Sequence, residues 1–324
     1  MIEPGNMKII TLTLNPAYDV HVRIGEFRAG HENLADSISR DIGGKGVNIS
    51  RALKLNAGRL GTETGHSAFV ILGEENAPEF VSELGDEDID VISLTLPGRI
   101  RENITIHPTS GDETRLSFRG FTCPAGTLER VKELIRVEPG DILTFTGSLP
   151  GGIGKSETVA FLKDLVRQRV RVVIDSKSIT PSDLREIKPW LIKPNAEEIS
   201  DFFGSDADRN TAPDEKLLEQ TALDVAAAGI ENVMISLGGD GAMLASDGKL
   251  YRAKNPKIDA ISTIGAGDSS IAGFITAFSR NASKADCLRE AVTYGTAACL
   301  TDGTNPPHPD DISEIYEKVT VTAL

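Results

Sequence analysis

Thr158-Val-Ala-Phe-Leu-Lys-Asp-Leu-Val-Arg-Gln-Arg-Val-Arg-Val-Val-Ile174 changes its period halfway along. Thr158, Leu162, Leu165 and Val166 recur at the spacing of one helix face, and Val170-Arg-Val-Val-Ile174 follows as a short buried strand. Downstream the pattern repeats. Trp190-Leu-Ile precedes a helical stretch near 196–203, and a helix over 214–229 precedes Asn232-Val-Met-Ile-Ser-Leu237, a further strand. Helix–strand alternation of this kind predicts right-handed βαβ units: a mostly parallel central sheet covered on both faces, hence a three-layer α/β/α fold.

Two stretches depart from the alternation. Residues 17–40 and 98–120 alternate polar and apolar side chains, as in Asn103-Ile-Thr-Ile-His and Thr114-Arg-Leu-Ser-Phe. They are expected to form antiparallel strands with one wet face. Paired together, they would make a small β lid over the open end of a core built from 1–16, 41–97 and 121–324. The chain has 324 residues, with no repeat at solenoid periods and no run of 18 apolar residues. Its N-terminal stretch lacks a basic region followed by an apolar one, so a cytoplasmic location is expected. Cys123, Cys287 and Cys299 have neither a CxxC nor a metal spacing, which suits free thiols. The net charge of −14 argues against nucleic acid. Any phosphate ligand must therefore be held by local charge, from a few Lys or Arg and from helix N-termini.

The sharpest motif is Ser262-Thr-Ile-Gly-Ala-Gly-Asp268-Ser-Ser-Ile-Ala-Gly-Phe274. Ile271, Phe274, Ile275 and Phe278 share one face of a helix over about 267–279. Glycines before its first turn let N–H groups converge on an anion, and the helix dipole adds to them. Asp268 in that turn can take a proton from a hydroxyl that attacks a phosphoryl group. Plain helix capping would use the same residues. Asp41-Ile-Gly-Gly-Lys-Gly-Val-Asn48 sets Lys45 among glycines before another helix, a turn that suits a phosphate or a polyol or is merely a turn. In Lys193-Pro-Asn195-Ala-Glu-Glu198, Asn195 and Glu198 have capping-box spacing, or lie near a magnesium ion through water. Ser236-Leu-Gly-Gly-Asp-Gly-Ala242 lets backbone approach a nucleotide, and also fits a hairpin turn into Ala242-Met-Leu-Ala-Ser. Gly154-Lys155-Ser156 is not a P-loop, because Leu149 stands where that motif needs its first glycine.

Taken in order, Thr13-Leu-Asn-Pro-Ala-Tyr-Asp19, Gly43-Gly-Lys-Gly-Val-Asn48, Thr146-Gly-Ser-Leu-Pro150, Lys193-Pro-Asn195, Ser236-Leu-Gly238 and Gly265-Ala-Gly-Asp268 resemble the ribokinase-like carbohydrate kinases. The Asn-Pro-Ala-x-Asp start and the Gly-Gly-Lys-Gly turn are similar to the phosphofructokinase B branch, which acts on phosphosugars. The likeness spans about 8 to 303. It implies ATP-dependent phosphorylation of a hexose phosphate, first of all fructose 1-phosphate, with tagatose 6-phosphate or fructose 6-phosphate as alternatives. A catalytically silent sugar-phosphate sensor is the alternative of another class. It further implies Asp268 as base with Gly265, Ala266 and Gly267 as its anion hole, and Asp19, Gly44, Lys45, Asn48, Arg101 and Asn103 at the acceptor. The planar fork of Arg101 suits the sugar phosphate. Lys193, Asn195, Ser236, Gly238 and Gly241 fall to ATP and Glu198 to Mg2+, with a monovalent cation as an open requirement and a homodimer through the lid. The stretch Gly61-Thr-Glu-Thr-Gly-His-Ser-Ala-Phe-Val-Ile-Leu-Gly73 departs from the family's strand and glycine-rich turn.

Overall fold

The computed structural model describes residues 7–60, 65–200, 202 and 214–324. Its main sheet has ten strands in the order Thr320–Ala323, Lys249–Lys254, Ala242–Ser246, Asn232–Ser236, Leu191–Ile192, Arg171–Asp175, Ile142–Thr146, Ile9–Thr13, His66–Gly73, Asp90–Leu96. From Asn232–Ser236 to Asp90–Leu96 every pairing is parallel. The three pairings at the other edge are antiparallel.

Alternate side chains of each strand leave by opposite faces, which builds two cores. Val172 and Ile174 pack with Leu162 and Leu165 of the Lys155–Arg167 helix and with Leu218 and Ala222 of Glu215–Ala227. Val173, between them, packs on the opposite face with Ile271, Phe274 and Ile275 of Ala266–Ser279 and with Ile49 of Lys45–Leu60. The three layers expected from the sequence are present. Of the helical stretch near 196–203, Ala196–Ser200 is helix, and 201 and 203 lie outside the described residues, as do 61–64 of the departing segment.

A second sheet has the order Ser37–Gly43, Ala17–Ile24, Arg101–Pro108, Thr114–Leu116. Its central pairing is parallel, with Asp19 opposite Asn103, where antiparallel strands were expected. The reason is topological. Ala17–Ile24 leaves the main sheet just after Ile9–Thr13, and Arg101–Pro108 leaves it just after Asp90–Leu96. Both source strands point the same way, so the two strands that follow them do too. The outer strands return antiparallel. Among the described residues no helix is long and apolar enough to cross a membrane.

Candidate active site

The seven strands joined by parallel pairings all end at one edge, where Thr13, Thr146, Asp175, Ile192 and Ser236 bring the following loops together. Open α/β sheets bind ligands at that edge. The Ala266–Ser279 helix points its N-terminus at it, started by Gly265 in the left-handed region at φ 82°. Asp268, in the first turn, is only 5% exposed. Asn48, from the first turn of Lys45–Leu60, donates its Nδ2–H to Asp268 Oδ2 at 2.9 Å. Burial pushes the Asp268 carboxyl up to about 6; Lys45 and Lys193 pull against this and Asp175 adds to it. Such a value suits a base that must be ionised near neutral pH yet still take a proton.

Asp175 was not expected in the site. It ends the Arg171–Asp175 strand, and its Oδ2 lies 3.0 Å from Lys45 Nζ and 3.6 Å from Lys193 Nζ. Burial alone would raise its carboxyl, but the two ammonium groups hold it below the usual carboxylate value. Burial works to lower Lys45, and Asp175 with Asp268 reverses the sign, leaving it raised. The four groups Asp268, Asp175, Lys45 and Lys193 thus form one charge cluster. A carboxylate at the end of a parallel strand was the sequence signal for Asp175. The Lys193 ammonium also lies where a Cβ on Gly267 would fall, at 2.9 Å, so it sits against the helix N-terminus.

In the second sheet, Asp19 Oδ1 accepts from Asn103 Nδ2 at 3.0 Å and from Arg115 Nη2 at 3.1 Å. Arg115 also escaped the sequence reading. Asp19 lies so close to Gly43 that a Cβ there would meet its Oδ2 at 2.2 Å. Gly44 starts the Lys45–Leu60 helix, its carbonyl accepting the Asn48 N–H at 2.9 Å. Arg101 gives three N–H groups to backbone carbonyls: Nε to Pro16 at 3.3 Å, Nη1 to Phe118 at 2.8 Å, Nη2 to Asn15 at 3.1 Å. It ties the second sheet to the loop after the first core strand and retains two N–H groups of its five.

A cavity of about 670 Å³ runs from Lys193, Asn195 and Ser236 past Gly238 and Gly241 to Ala266 and Gly267. Its far wall is apolar, with Ile258, Ala291 and Val292. The glycine turn is a hairpin, Ser236 opposite Ala242, and its glycines line this cavity. Asn195 and Glu198 do form a capping box. Asn195 Oδ1 accepts the Glu198 N–H at 2.6 Å, and Glu198 Oε2 accepts the Asn195 N–H at 3.2 Å. The other Glu198 oxygen is 3.6 Å from exposed Lys177. Lys155, in the false P-loop, pairs with Asp183 at 2.9 Å.

The profile of the pfkB family carbohydrate kinases matches residues 10–311. The 1-phosphofructokinase of Vibrio cholerae is 28% identical over 319 residues, 98% of this chain and 97% of that protein. The 1-phosphofructokinase of Bacillus subtilis is 30% identical over 329 residues, 98% of this chain and 100% of that protein. The solved structure of phosphofructokinase-2 from Escherichia coli in complex with substrates and products has a TM-score of 0.87 at 26% identity, covering 96% of this chain and 99% of that one. With a match that runs from the first core strand to the last core helix, the chain belongs to the pfkB family of carbohydrate kinases, which transfer a phosphoryl group to an alcohol.

Proposed function

We propose that this enzyme transfers the γ-phosphoryl group of ATP to the free primary hydroxyl of fructose 1-phosphate, giving fructose 1,6-bisphosphate and ADP. The observation that carries the reading is Asp268, a buried carboxyl pushed up to about 6 in the first turn of a helix that faces the main cavity. Asp268 accepts the hydroxyl proton as the oxygen attacks phosphorus. The backbone N–H groups of 265–268 and the helix dipole stabilise charge on the phosphoryl group in transit. Asn48 orients the carboxylate, and Lys45 and Lys193 add positive charge on the acceptor and donor sides. The acceptor's identity rests on the 1-phosphofructokinases of Vibrio cholerae and Bacillus subtilis.

ATP fills the cavity between Ser236–Gly241 and Ala266–Gly267, its base against the apolar wall. Among the described residues no three His, Cys, Asp or Glu side chains are grouped to hold a metal by themselves. Magnesium, which keeps its waters, fits as the nucleotide's own ion. The Glu198 oxygen outside the capping box would hold it through water, beside Asn195, and the ion would neutralise phosphate charge. A solved Escherichia coli phosphofructokinase-2 is a potassium complex, so potassium belongs in the assay.

The lid supplies Asp19 and Asn103 to the sugar hydroxyls, with Gly44 and Asn48 beneath, and the two remaining N–H groups of Arg101 take the sugar phosphate. Exposed Phe27, Leu34, Ile38, Leu116 and Phe118 on the lid segments support a homodimer through this sheet. Dependence on ATP supports a cytoplasmic location.

The test is ADP release with MgATP and potassium against fructose 1-phosphate, fructose 6-phosphate, tagatose 6-phosphate, fructose and ribose. Turnover on fructose 1-phosphate far above the others is the expected outcome. Preference for a 6-phosphate would change the acceptor and keep the catalytic residues, whereas no turnover on any would favour a sensor. A second expectation concerns the lid. Gly43→Ala displaces Asp19, so KM for the acceptor should rise about tenfold, the scale of one charged hydrogen bond, with KM for ATP unchanged. Equal shifts in both constants would detach Asp19 from the acceptor.

A further inference from the structure

Arg252 lies beneath the glycine turn rather than in the cavity. It is on the Lys249–Lys254 strand opposite Met243, and it is 8% exposed, which is unusual for arginine. Its Nη1 donates to Asp240 O at 2.8 Å, Ala242 O at 3.3 Å and Ala253 O at 2.5 Å. Its Nε donates to Glu215 Oε1 at 3.0 Å, on the first turn of Glu215–Ala227. Two of the three carbonyls flank Gly241. That residue has φ 97°, and its Cα lies so close to the next strand that a Cβ would meet Ala253 O at 2.2 Å. The carbonyls of Asp240, Ala242 and Ala253 therefore crowd one point, where their dipoles repel unless a cation sits among them.

We propose that Arg252 is the positioning residue of the nucleotide loop. Its guanidinium fixes the direction of the peptides on both sides of Gly241, and so sets the Gly238–Gly241 backbone that lines the 670 Å³ cavity. It touches neither substrate and acts through that backbone. The proposal rests on reading the cavity as the ATP site. Glu215 is mostly exposed, and it orients the guanidinium without supplying the charge at the carbonyls.

The experiment is calorimetric titration of MgATP into the wild-type enzyme and into Arg252→Met, Arg252→Lys and Glu215→Gln, with KM for both substrates measured in parallel. Loss of a charged hydrogen-bond cluster should weaken MgATP about tenfold in Arg252→Met. Arg252→Lys keeps the charge and one bond, and should lose less. Glu215→Gln removes an exposed pairing and should stay within about twofold. KM for the acceptor should not move in any of them. If Arg252→Met does not fold, Arg252→Lys decides. A folded Arg252→Lys that binds MgATP as wild type does, or variants in which both KM values rise together, would overturn the proposal. A wild-type protein that fails to bind MgATP would overturn the assignment of the cavity itself, a result distinct from normal binding in the variants.

Discussion

Asp268→Asn is expected to lower kcat about 10²–10⁴-fold, the usual contribution of a positioned base, and to raise the melting temperature. The first effect follows because Asn cannot accept the hydroxyl proton. The second follows from linkage. The carboxyl's ordinary value is 3.8, and in the fold burial pushes it up to about 6. Between those values the folded chain holds the proton and the unfolded chain does not. Its stabilising contribution is full below 3.8 and is lost as pH rises through 6. At pH 7 the ionised, buried Asp268 thus costs on the order of 3 kcal/mol, and Asn removes that cost while still accepting from Asn48. Thermal melts at pH 7 and pH 4 check this, since the gain should be large at pH 7 and should vanish at pH 4. In the wild type, kcat/KM should fall as pH drops below about 6, where Asp268 takes its proton before the substrate arrives. Near-normal turnover in Asp268→Asn would remove Asp268 from catalysis.

Asp175→Asn should be destabilising and should move the acid limb of the pH profile. Lys193 is 8% exposed, and its carboxylate partner at 3.6 Å is Asp175. Removing one member of a buried pair leaves an uncompensated charge, at a cost of about 3 kcal/mol. Lys45, less buried, adds little to that sum. The consequence for catalysis has a definite sign. Asp175 pushes the Asp268 carboxyl up, and it draws on the same two ammonium groups that pull it down. Without Asp175 the Asp268 carboxyl should drop, and the acid limb of kcat/KM should shift below its wild-type position. The lysines also lose their common anchor, and misplacement by about 1 Å costs on the order of 100-fold in rate. Chemical denaturation measures the stability and a pH–rate profile measures the limb. A limb that stays in place or moves upward would mean that Asp175 does not act electrostatically on Asp268.

Local chemistry made the helix at Ala266–Ser279 legible, because its apolar spacing and its glycine start lie within one short segment. The capping box of Asn195 and Glu198 and the hairpin after Ser236 were legible for the same reason: each is a contact between residues three to six apart. The direction of pairing in the second sheet was not. Parallel pairing of Ala17–Ile24 with Arg101–Pro108 depends on where two distant core strands end, and the alternation within each segment is the same for either direction. Arg101 could be matched to a motif, but its three carbonyl partners come from residues 17, 85 and 86 positions away.

By itself the sequence determined the layered α/β class and the family-like order of its glycine-rich motifs, since these rest on side-chain period and on turn chemistry within a few residues. Tertiary structure decided what those groups are chemically. Only folding places Asn48 on Asp268 across 220 residues and Lys45 on Asp175 across 130. A carboxyl's proton affinity is set by how much water it has lost and which charges stand within a few ångströms, and neither quantity exists until the chain has packed.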